Sequence, residues 1–416
     1  MIIKPKGTYD LLNEEAIIYN RMEKIINDYM LNYNCDYIRT PIFESSELFH
    51  RGVGETTDIV TKETYDFVDR GNRPLTLRPE GTAGVVRSII ENKLYGNRNE
   101  TMKYYYLGTM YRYERPQSGR NREFTQFGVE YFNSDDSMSD AEVIEIGYNI
   151  LKDFGINNVT VHLNSLGDVE SRENFKKALV SYLNPQLDEL CEDCQRRIKT
   201  NPLRIIDCKI DSSKDILKNA PKITDYLNEE SQEKFKELKK YLDLLEIDYE
   251  IDPLIVRGLD YYDHFVWEYV NEEGITLGGG GRYNHLFETL DGPKMPAVGF
   301  ALGLERIIID LKKELDEKSL AKQIDAYILC ETKEEKMHAI KIAKNLRFID
   351  LVVEICNNNL SKKSQFKIAD KLNARYLIML NDEDLQKGII KIKDNETKEE
   401  FIVDEEEVVD FCWEMM

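Results

Sequence analysis

Helical spacing is the first regular pattern along the chain. Between residues 14 and 34, apolar side chains recur at intervals of three and four positions, at Ile18, Met22, Ile25, Ile26, Tyr29 and Met30. This period predicts an amphipathic helix. The stretch DYIRTPIFE (36–44) predicts a strand, which Pro41 confines to a sheet edge or an interface because proline has no N–H for a paired ladder.

Two segments rich in tyrosine, phenylalanine and valine, 101–113 and 122–132, flank a loop that contains proline, glycine and serine. They predict two antiparallel strands joined by a long loop. The following segment predicts a helix, with Ser139 and Glu142 as a capping box and Gly155 as the C-terminal stop.

Charged helical sequence without glycine-rich turns fills residues 165–250 and predicts a helical insertion. Strand-like sequence resumes at 257–269 and 275–284, and the segment 297–315 predicts a strand that runs into a helix. After a polar linker at 316–323, strand and helix patterns alternate. This alternation predicts a small α/β domain with a largely parallel sheet.

The composition sets limits on location. The chain has no run of about 18 apolar residues that could span a bilayer, and its start, MIIKPKGTYDLL, lacks the features of a signal peptide. Its seven cysteines are odd in number and mostly isolated, which favours a reducing compartment. We therefore expect a soluble cytoplasmic protein with no membrane partner.

The formal net charge of −21 counts against a nucleic-acid partner, because neutralisation of phosphates by Lys and Arg dominates such affinity. The loop sequence YRYERPQSGRNREF (111–124) nevertheless concentrates positive charge at Arg112, Arg115, Arg120 and Arg122. A guanidinium matches phosphate oxygens through paired hydrogen bonds, so this loop fits a polyphosphate or a nucleic-acid end. Taken alone, it fits a solvated surface hairpin equally well.

Other segments favour the phosphate interpretation. Arg112, Arg257 and Arg306 each lie at the end of a predicted strand or the start of a predicted helix. Small residues accompany them in LRPEGT (77–82) and at the glycines 278–281, where backbone and ligand could approach closely. The glycine run is not a P-loop, because no Lys-Ser/Thr follows it.

Three cysteines of the insertion form a CxxC pair, Cys191 and Cys194, with Cys208 as a third partner. A closed zinc site usually has four ligands, and the sequence offers no evident fourth. We therefore predict no metal and interpret these cysteines as small buried hydrophobic residues. The histidines show no spacing typical of a metal or nucleophile site.

The motifs resemble those of class II aminoacyl-tRNA synthetases. Residues 111–132 are similar to the second signature motif of that class, AVGFALGLERII (297–308) to the third, and DYIRTPIFE to the weaker first. RGLDYY (257–262) and GGGGRYNHL (278–286) narrow the resemblance to the histidyl-tRNA synthetase family. The insertion around the three cysteines and the C-terminal domain are also similar to parts of that family.

The resemblance implies an α+β fold. A catalytic domain built on an antiparallel sheet would occupy residues 1–320, with the helical insertion at about 165–250, and an α/β anticodon-binding domain would occupy 321–416. A homodimer with the first motif at its interface is also implied. The implied activity is ligation of L-histidine to histidine tRNA through histidyl-adenylate, with ATP as substrate and Mg²⁺ accompanying it.

The site residues follow from their places in the motifs. Arg112 and Arg257 are implied to be catalytic, since both would stabilise charge at the α-phosphate. The residues implied to contact ATP are Arg112, Glu114, Arg120, Arg122, Phe124 and Arg306. Those implied to bind histidine are Glu80, Thr82, Gln126, Glu130, Tyr261, Tyr262 and Tyr283. Outside the motifs, helix capping or a surface ion pair would better explain Glu80 and Glu130.

For tRNA, the resemblance implies contacts of Arg115 and Gln117 with the end of the acceptor stem, and arginine suits guanine edges. A basic segment in the C-terminal domain supplies Lys362, Lys363, Lys367, Lys371 and Arg375. These side chains fit either a tRNA contact or a solvated helix face. Thr125 and Gly278 depart from the residues frequent in the family, which affects the fine packing of the pocket.

Two alternatives without ligase activity remain. One is the synthetase-like regulatory subunit of ATP phosphoribosyltransferase, which typically lacks RGLDYY-type residues and the anticodon domain. The other is an RNA-binding protein with a decayed active site, which would bind tRNA without exchanging pyrophosphate into ATP. The intact Arg112, Arg257 and Arg306 argue against the second alternative.

Overall fold

A computed structural model describes residues 1–54, 57–96, 100–208, 210–314, 324–356 and 359–414. The chain divides into two compact units, Met1–Glu314 and Leu315–Met416. The linker predicted at 316–323 and the domain boundary predicted after residue 320 lie outside the described residues.

The first unit combines helices with two sheets. Its helices are α1 (Asn13–Asn32), α2 (Ser46–Val53), α3 (Thr82–Glu91), α4 (Ser137–Phe154), α5 (Val169–Leu183), α6 (Glu192–Thr200), α7 (Leu203–Ile206), α8 (Asp215–Lys218), α9 (Glu229–Leu244), α10 (Leu286–Thr289) and α11 (Leu304–Glu314). Its strands are β1 (Asp36–Tyr37), β2 (Phe43–Ser45), β3 (Tyr65–Val68), β4 (Pro74–Leu77), β5 (Met102–Tyr111), β6 (Glu123–Phe132), β7 (Val159–Gly167), β8 (Tyr249–Ile251), β9 (Asp263–Asn271), β10 (Thr276–Arg282) and β11 (Ala297–Gly303).

The large sheet has the strand order β1-β5-β6-β11-β10-β9-β7-β8. Its inner pairs are antiparallel, and the two edge pairs, β1 with β5 and β7 with β8, are parallel. Strands β5 and β6 pair without interruption from Met102↔Phe132 to Tyr111↔Glu123, which confirms the predicted hairpin. A small second sheet has the order β2-β4-β3.

One face of the large sheet is closed by aromatic packing against helices. The Phe300 ring lies 5.7 Å from the Phe127 ring and 5.7 Å from the Tyr269 ring, centroid to centroid. The Tyr269 hydroxyl donates to the carbonyl oxygen of Ile144 in α4 across 3.0 Å. Since this face is filled by core side chains, a ligand site must lie on the opposite face.

Helix α1 confirms the helical period of residues 14–34, with Ile18, Met22, Ile26 and Met30 buried. For α4, the predicted stop at Gly155 is confirmed by its left-handed φ of +113°, but the predicted capping box is wrong. The helix begins earlier, and its N-cap is Asp136, whose carboxylate accepts the Met138 N–H across 2.8 Å. Asp136 directly precedes the first helical residue, Ser137, so its carboxylate can reach the free N–H groups of the first turn. Ser139 already lies inside the helix and cannot serve as its N-cap.

Two strand predictions need correction. The stretch 36–44 is divided between β1 in the large sheet and β2 in the small sheet, because Pro41 cannot continue a ladder. Residues 257–262 are not part of a strand, since β9 begins at Asp263. The side chains of Arg204 and Asn201 in the insertion hydrogen-bond this loop, to the Arg257 carbonyl and the Asp260 carboxylate.

The region predicted as a helical insertion contains α5 to α9, together with the end of β7 and the short β8. Its buried residues, such as Phe175, Leu179 and Ile205, belong to one hydrophobic core with Tyr106 and Val266 of the large sheet. The insertion is therefore packed onto the large sheet and shares its hydrophobic core.

The second unit has a mixed five-stranded sheet. Its strands are β12 (Ile324–Leu329), β13 (Val353–Ile355), β14 (Ala374–Met379), β15 (Ile389–Asp394) and β16 (Glu400–Asp404), and its helices are α12 (Lys333–Phe348), α13 (Lys362–Lys371), α14 (Asp382–Leu385) and α15 (Val408–Glu414). The order is β13-β12-β14-β15-β16. Strands β13, β12 and β14 are parallel, but β15 and β16 are added antiparallel. The predicted α/β domain is found. The sheet was predicted to be largely parallel, but only two of its four strand pairs are parallel.

Candidate active site

Strand register places glycine and alanine on the open face of the large sheet. Residues directly opposite each other in an antiparallel pair share a face. The register aligns Glu130 with Gly299, Gly128 with Ala301 and Gln126 with Gly303 across β6 and β11. It continues across β10, where Gly281 and Gly279 oppose Gly299 and Ala301. The open face is therefore a shallow floor with few side chains of its own.

The glycines of this floor leave room for side chains that reach over it. A β-carbon on Gly299 would lie 1.8 Å from Glu130 Oε2, and one on Gly281 would lie 2.6 Å from Tyr262 Cδ1. A β-carbon on Gly279 would lie 2.9 Å from Arg257 Nη1. The chemistry-bearing side chains thus depend on these positions lacking a side chain.

A buried carboxylate, Glu130, is at the centre of one end of the floor. Its Oε1 accepts the Thr82 hydroxyl across 2.6 Å, and its Oε2 accepts the Tyr283 hydroxyl. Burial raises the pKa of Glu130 to about 8, against the lowering effect of these two hydrogen bonds. A hydrogen-bond donor on a ligand would lower this pKa, so the ionisation of Glu130 depends on what binds beside it.

A second buried carboxylate, Glu80, lies beside the first and acts on helix α3. Its oxygens accept the backbone N–H groups of Thr82 and Ala83 across 2.7 and 2.9 Å. These are helix-capping contacts at the N-terminal turn, so the capping interpretation of Glu80 is correct as far as it goes. Burial raises the pKa of Glu80, and the charge of Glu80 contributes to the raised pKa of Glu130.

Tyrosine rings form the wall next to these carboxylates. The ring centroids of Tyr261 and Tyr262 are 4.6 Å apart, and Tyr283 lies 5.5 Å from Tyr261. Burial raises the pKa of all three hydroxyls. The predicted histidine-binding residues are therefore gathered in one place, with Gln126 on the floor beside them.

Sequence reasoning missed Tyr106. Its hydroxyl is buried without a hydrogen-bond partner among the described residues, and the same is true of Gln126 Oε1. Both Glu130 and Glu80 act on the pKa of Tyr106, which burial raises well above 10. The residue has no motif signal, but its register partner Gly128 could have indicated it, because a glycine opposite a tyrosine leaves room for the ring.

Arginines gather at the other end of the floor. Arg112 Nε donates to the Pro79 carbonyl across 2.8 Å, and its guanidinium lies 5.2 Å from the Phe124 ring centroid. Burial lowers the pKa of Arg306, and the nearby charges of Arg120 and Arg112 lower it further. Several positive charges close enough to disfavour one another are suited to an anionic ligand.

Arg257 is linked to Arg306 through two residues. Arg257 Nη1 donates to Glu268 Oε1 across 2.5 Å, and the Thr276 hydroxyl donates to the other Glu268 oxygen across 2.9 Å. Arg306 Nη1 donates to the Thr276 carbonyl across 2.5 Å. The structure therefore brings the predicted Arg112, Arg257 and Arg306 to one end of the floor.

The loop between β5 and β6 folds back on itself at a tight turn. Gln117 and Arg120 are paired through their backbones, and Gly119 between them has a left-handed φ of +69°. A β-carbon on Gly119 would lie 2.8 Å from Arg306 Cγ, so the turn lies against that arginine. Arg120 pairs with Glu114 at 3.4 Å.

Three other residues of this loop for which a binding role was predicted lie away from the arginines at the end of the floor. Arg115 and Gln117 are exposed. Arg122 lies 3.9 Å above the Tyr113 ring centroid, and its Nε donates to the Glu114 carbonyl across 3.2 Å. Among the described residues predicted to contact ATP, Arg122 is an arginine that faces Tyr113 and the Glu114 backbone instead of the other arginines.

Glu305 was also missed by sequence reasoning. Its carboxylate accepts the Tyr9 hydroxyl across 2.6 Å and the Thr125 N–H across 2.7 Å. Glu305 lies in the first turn of α11, next to Arg306, so these bonds fix the arginine relative to β6. Burial raises the pKa of Glu305.

The three cysteines of the insertion lie together with an acidic residue from the turn after α7. Asp211 joins Cys191, Cys194 and Cys208 to make a group of four. A fourth potential ligand, which was not evident in the sequence, is therefore present in the fold.

In the second unit, Lys363, Lys367 and Lys371 are exposed at helical spacing on α13, whereas Lys362 Nζ donates to the Leu380 carbonyl across 3.0 Å. Arg375 lies 4.9 Å from the Tyr376 ring centroid.

Comparison with known proteins matches both units. The sequence model described as histidyl-tRNA synthetase matches residues 7–307, and the anticodon binding domain model matches residues 325–415. The chain is 48% identical to the histidine–tRNA ligase of Bacillus cytotoxicus, over 95% of each chain. It is 46% identical to that of a Geobacillus species, over 99% of each chain.

A solved structure has the same architecture. The crystal structure of apo histidyl-tRNA synthetase from S. aureus has a TM-score of 0.83 and 38% sequence identity, covering 99% of this chain and 100% of the other. No helix among the described residues is both long and apolar enough to cross a membrane.

Proposed function

This chain belongs to the histidyl-tRNA synthetase family, and from that premise we propose how its side chains divide the work of the reaction. Its activity is ATP-dependent ligation of histidine to tRNA. A carboxylate oxygen of histidine attacks the α-phosphorus of ATP, the bond from that phosphorus to the bridging oxygen breaks, and pyrophosphate leaves. The terminal adenosine hydroxyl of tRNA then attacks the carbonyl carbon of the adenylate, loses its proton, and AMP leaves.

Histidine binds at the carboxylate end of the floor. Glu130 and Tyr262 bind the imidazole ring, while Glu80, Thr82 and Gln126 bind the α-amino group. The two buried carboxylates and the unpartnered Gln126 oxygen support this assignment. A ring without matching N–H groups would leave these buried polar groups unpaired, which costs about 1–3 kcal/mol for each group.

Tyr261 and Tyr283 complete the pocket. Tyr261 closes the pocket as a wall, and Tyr283 orients Glu130 through its hydroxyl. Tyr106, with its buried hydroxyl, is an additional member of this pocket. The aromatic wall also excludes water, so each hydrogen bond to the substrate counts for more than it would at the surface.

The triphosphate of ATP binds among the arginines. Arg112 and Arg257 stabilise negative charge as it accumulates at the α-phosphate, and Arg120 and Arg306 bind the outer phosphates. Phe124, below Arg112, stacks on the adenine ring. Arg122 acts through Glu114, whose backbone it holds. The arrangement supports this division, since guanidinium groups from distant parts of the chain lie at one end of the floor.

Magnesium ion would accompany ATP. Mg²⁺ in nucleotide sites is usually bound by one or two carboxylates together with substrate phosphates. Glu114 and Glu268 lie next to the arginines and fit that requirement, since both act on the pKa of Arg306. When bound, the ion would neutralise phosphate charge. The chain's own contribution is the placement of the arginines by Glu268, Thr276 and Glu305.

Further partners follow from the same premise. Exposed Arg115 and Gln117 contact the acceptor end of histidine tRNA, and the exposed lysines of α13 contribute to anticodon binding. A homodimer is supported by exposed apolar side chains around the first motif, among them Tyr37, Ile42 and Phe43. A cytoplasmic location is supported by the seven cysteines, all free thiols.

Convergence of the three arginines is the observation on which this proposal depends most. The test is amino-acid-dependent exchange of labelled pyrophosphate into ATP, measured with each of the twenty amino acids. Exchange with histidine alone supports the proposal. No exchange with any amino acid, together with intact tRNA binding, would instead favour a paralogue without ligase activity.

A further inference from the structure

Four side chains of the insertion, outside the active site, converge on one point. They are Cys191, Cys194, Cys208 and Asp211, and their ligand atoms all lie within 4.8 Å of one another. Cys194, Cys208 and Asp211 are buried, and Cys191 is half-buried. All three cysteines are free thiols. A closed group of four with this composition matches the number of ligands in structural zinc sites.

Two distances agree with tetrahedral coordination of a single metal ion. Zinc–sulfur bonds of about 2.3 Å and zinc–oxygen bonds of about 2.1 Å imply separations of roughly 3.8 Å between sulfurs and roughly 3.6 Å between sulfur and oxygen. The sulfurs of Cys191 and Cys208 are 3.6 Å apart. Cys208 Sγ lies 3.8 Å from Asp211 Oδ2.

Local structure holds these ligands in place. Cys191 is the N-cap of α6 and Cys194 lies in its first turn, which brings the two thiols of the CxxC pair to the positive end of the helix. Cys208 follows α7, and Asp211 lies in the turn after it. The Cys191 N–H donates to Asp211 Oδ2 across 2.8 Å, an outer contact of the kind that orients metal ligands.

The donor atoms of the group suit a soft divalent cation. Three thiols and a carboxylate share one partly buried site, and Lys214 Nζ lies 2.8 Å from Asp211 Oδ1. Binding of a divalent cation would displace the thiol protons and stabilise the thiolates. Soft thiolate ligands select zinc over magnesium or calcium.

We propose that Cys191, Cys194, Cys208 and Asp211 bind one structural Zn²⁺ ion. The site fastens α6 to the segment after α7. These helices in turn hold the loop of Arg257: Arg204 Nη1 donates to the Arg257 carbonyl across 3.0 Å, and Asn201 Nδ2 donates to Asp260 Oδ1 across 2.9 Å. The metal would therefore stabilise the position of the Arg257 loop without contacting substrate.

Metal content of the purified full-length protein tests the proposal. We expect about one zinc ion per chain by inductively coupled plasma mass spectrometry, as a closed four-ligand site requires. Cys194→Ser and Asp211→Ala should each lose most of this zinc. Cys35→Ser is the matched control, because Cys35 is also a buried thiol of the first unit but lies outside the group of four, and it should keep the zinc.

Cobalt titration keeps the test independent of variant folding. Chelator-treated wild-type protein should take up Co²⁺ with the strong visible absorption of tetrahedral thiolate coordination, and added Zn²⁺ should remove that absorption. The proposal is overturned if the wild-type protein contains less than about a tenth of an equivalent of zinc and takes up no Co²⁺. A Cys191–Cys208 disulfide in the protein as purified, detected by alkylation and mass spectrometry without reductant, would overturn it as well.

Discussion

The Arg257 guanidinium lies 2.5 Å from the Glu268 carboxylate, so the arginine is held by a neighbouring strand and not by its own loop. Its Nε is buried and has no hydrogen-bond partner among the described residues. The charge of Glu268 keeps the pKa of Arg257 raised in spite of burial. Arg257 is therefore a fixed cation with donor capacity left for a substrate.

Replacing Arg257 should affect chemistry more than substrate binding. We expect Arg257→Ala to lower the rate of histidine-dependent pyrophosphate exchange by about 10²–10³-fold, since that is the usual cost of one electrostatic donor at a transition state. Histidine affinity, measured by calorimetry, should stay nearly unchanged. Arg73→Ala, which removes an exposed arginine paired with Asp69, is the control and should keep the full rate. Full exchange by Arg257→Ala would show that the assigned role is wrong.

Two buried tyrosine hydroxyls allow a matched comparison of the two sheet faces. Tyr283 donates to Glu130 on the open face, and Tyr269 donates to Ile144 on the closed face. We expect Tyr283→Phe to raise the KM for histidine about fivefold, since the lost hydrogen bond orients Glu130 and a typical one contributes about 1 kcal/mol. Tyr269→Phe should lower stability by about 1 kcal/mol and leave KM unchanged. Equal KM values for the two variants would contradict the placement of the pocket.

The raised pKa of Glu130 predicts a pH dependence of stability. Burial raises this pKa from 4.5 to about 8, so between those pH values the folded protein keeps a proton that the unfolded chain has lost. The free energy of unfolding should therefore fall as pH rises from about 5 to 8, with a total change of the order of a few kcal/mol. Glu130→Gln should flatten this dependence in denaturant titrations of the ligand-free protein.

Part of the slope should survive in Glu130→Gln, because burial also raises the pKa of Glu80. A slope identical to that of the wild-type protein would exclude Glu130 as its source. Stability that rises with pH over this range, in the wild-type protein, would contradict the sign of the predicted effect.

A buried ion pair between β10 and α4 contributes to the free energy of unfolding. Arg282 Nη2 lies 2.7 Å from Asp140 Oδ2, and both side chains are almost fully buried. Asp140→Ala should destabilise the protein by about 3 kcal/mol, since removing one partner of a buried pair costs roughly 3–5 kcal/mol and Asp135, 3.6 Å from Arg282, compensates part of the charge. The exposed pair Arg51–Asp291, at the similar distance of 2.8 Å, provides the control: Asp291→Ala should cost no more than about 1 kcal/mol in the same denaturant titration. Similar costs for the two variants would contradict the assigned importance of burial.

Periodicity was sufficient to predict most elements near the site. Local patterns predict the hairpin of β5 and β6, and they also predict that strand β11 is followed directly by helix α11. Contacts between distant parts of the chain do not change these elements. The N-cap of α4 was misplaced because Asp136, Ser137 and Ser139 are all good capping residues and only the backbone geometry selects among them.

Register is what the sequence could not provide. The open floor exists because Gly128, Gly279, Gly281 and Gly299 share one face, and a shift of one residue in any pairing would separate them. Tyr106 was missed because its position opposite Gly128 depends on this register. Asp211 was missed because it belongs to no motif and meets the cysteines through the turn after α7. The fold brings together the residues that the motifs suggested for histidine and phosphate binding, except that Arg122 turns toward Tyr113. Their assigned roles stay predictions.

The most direct test of convergent arginines is a crystal structure of this protein with histidine and a non-hydrolysable ATP analogue. We predict that the guanidinium groups of Arg112, Arg257 and Arg306 all lie within hydrogen-bond distance, about 3 Å, of oxygens of one bound triphosphate. A triphosphate bound away from any two of these arginines would contradict the account.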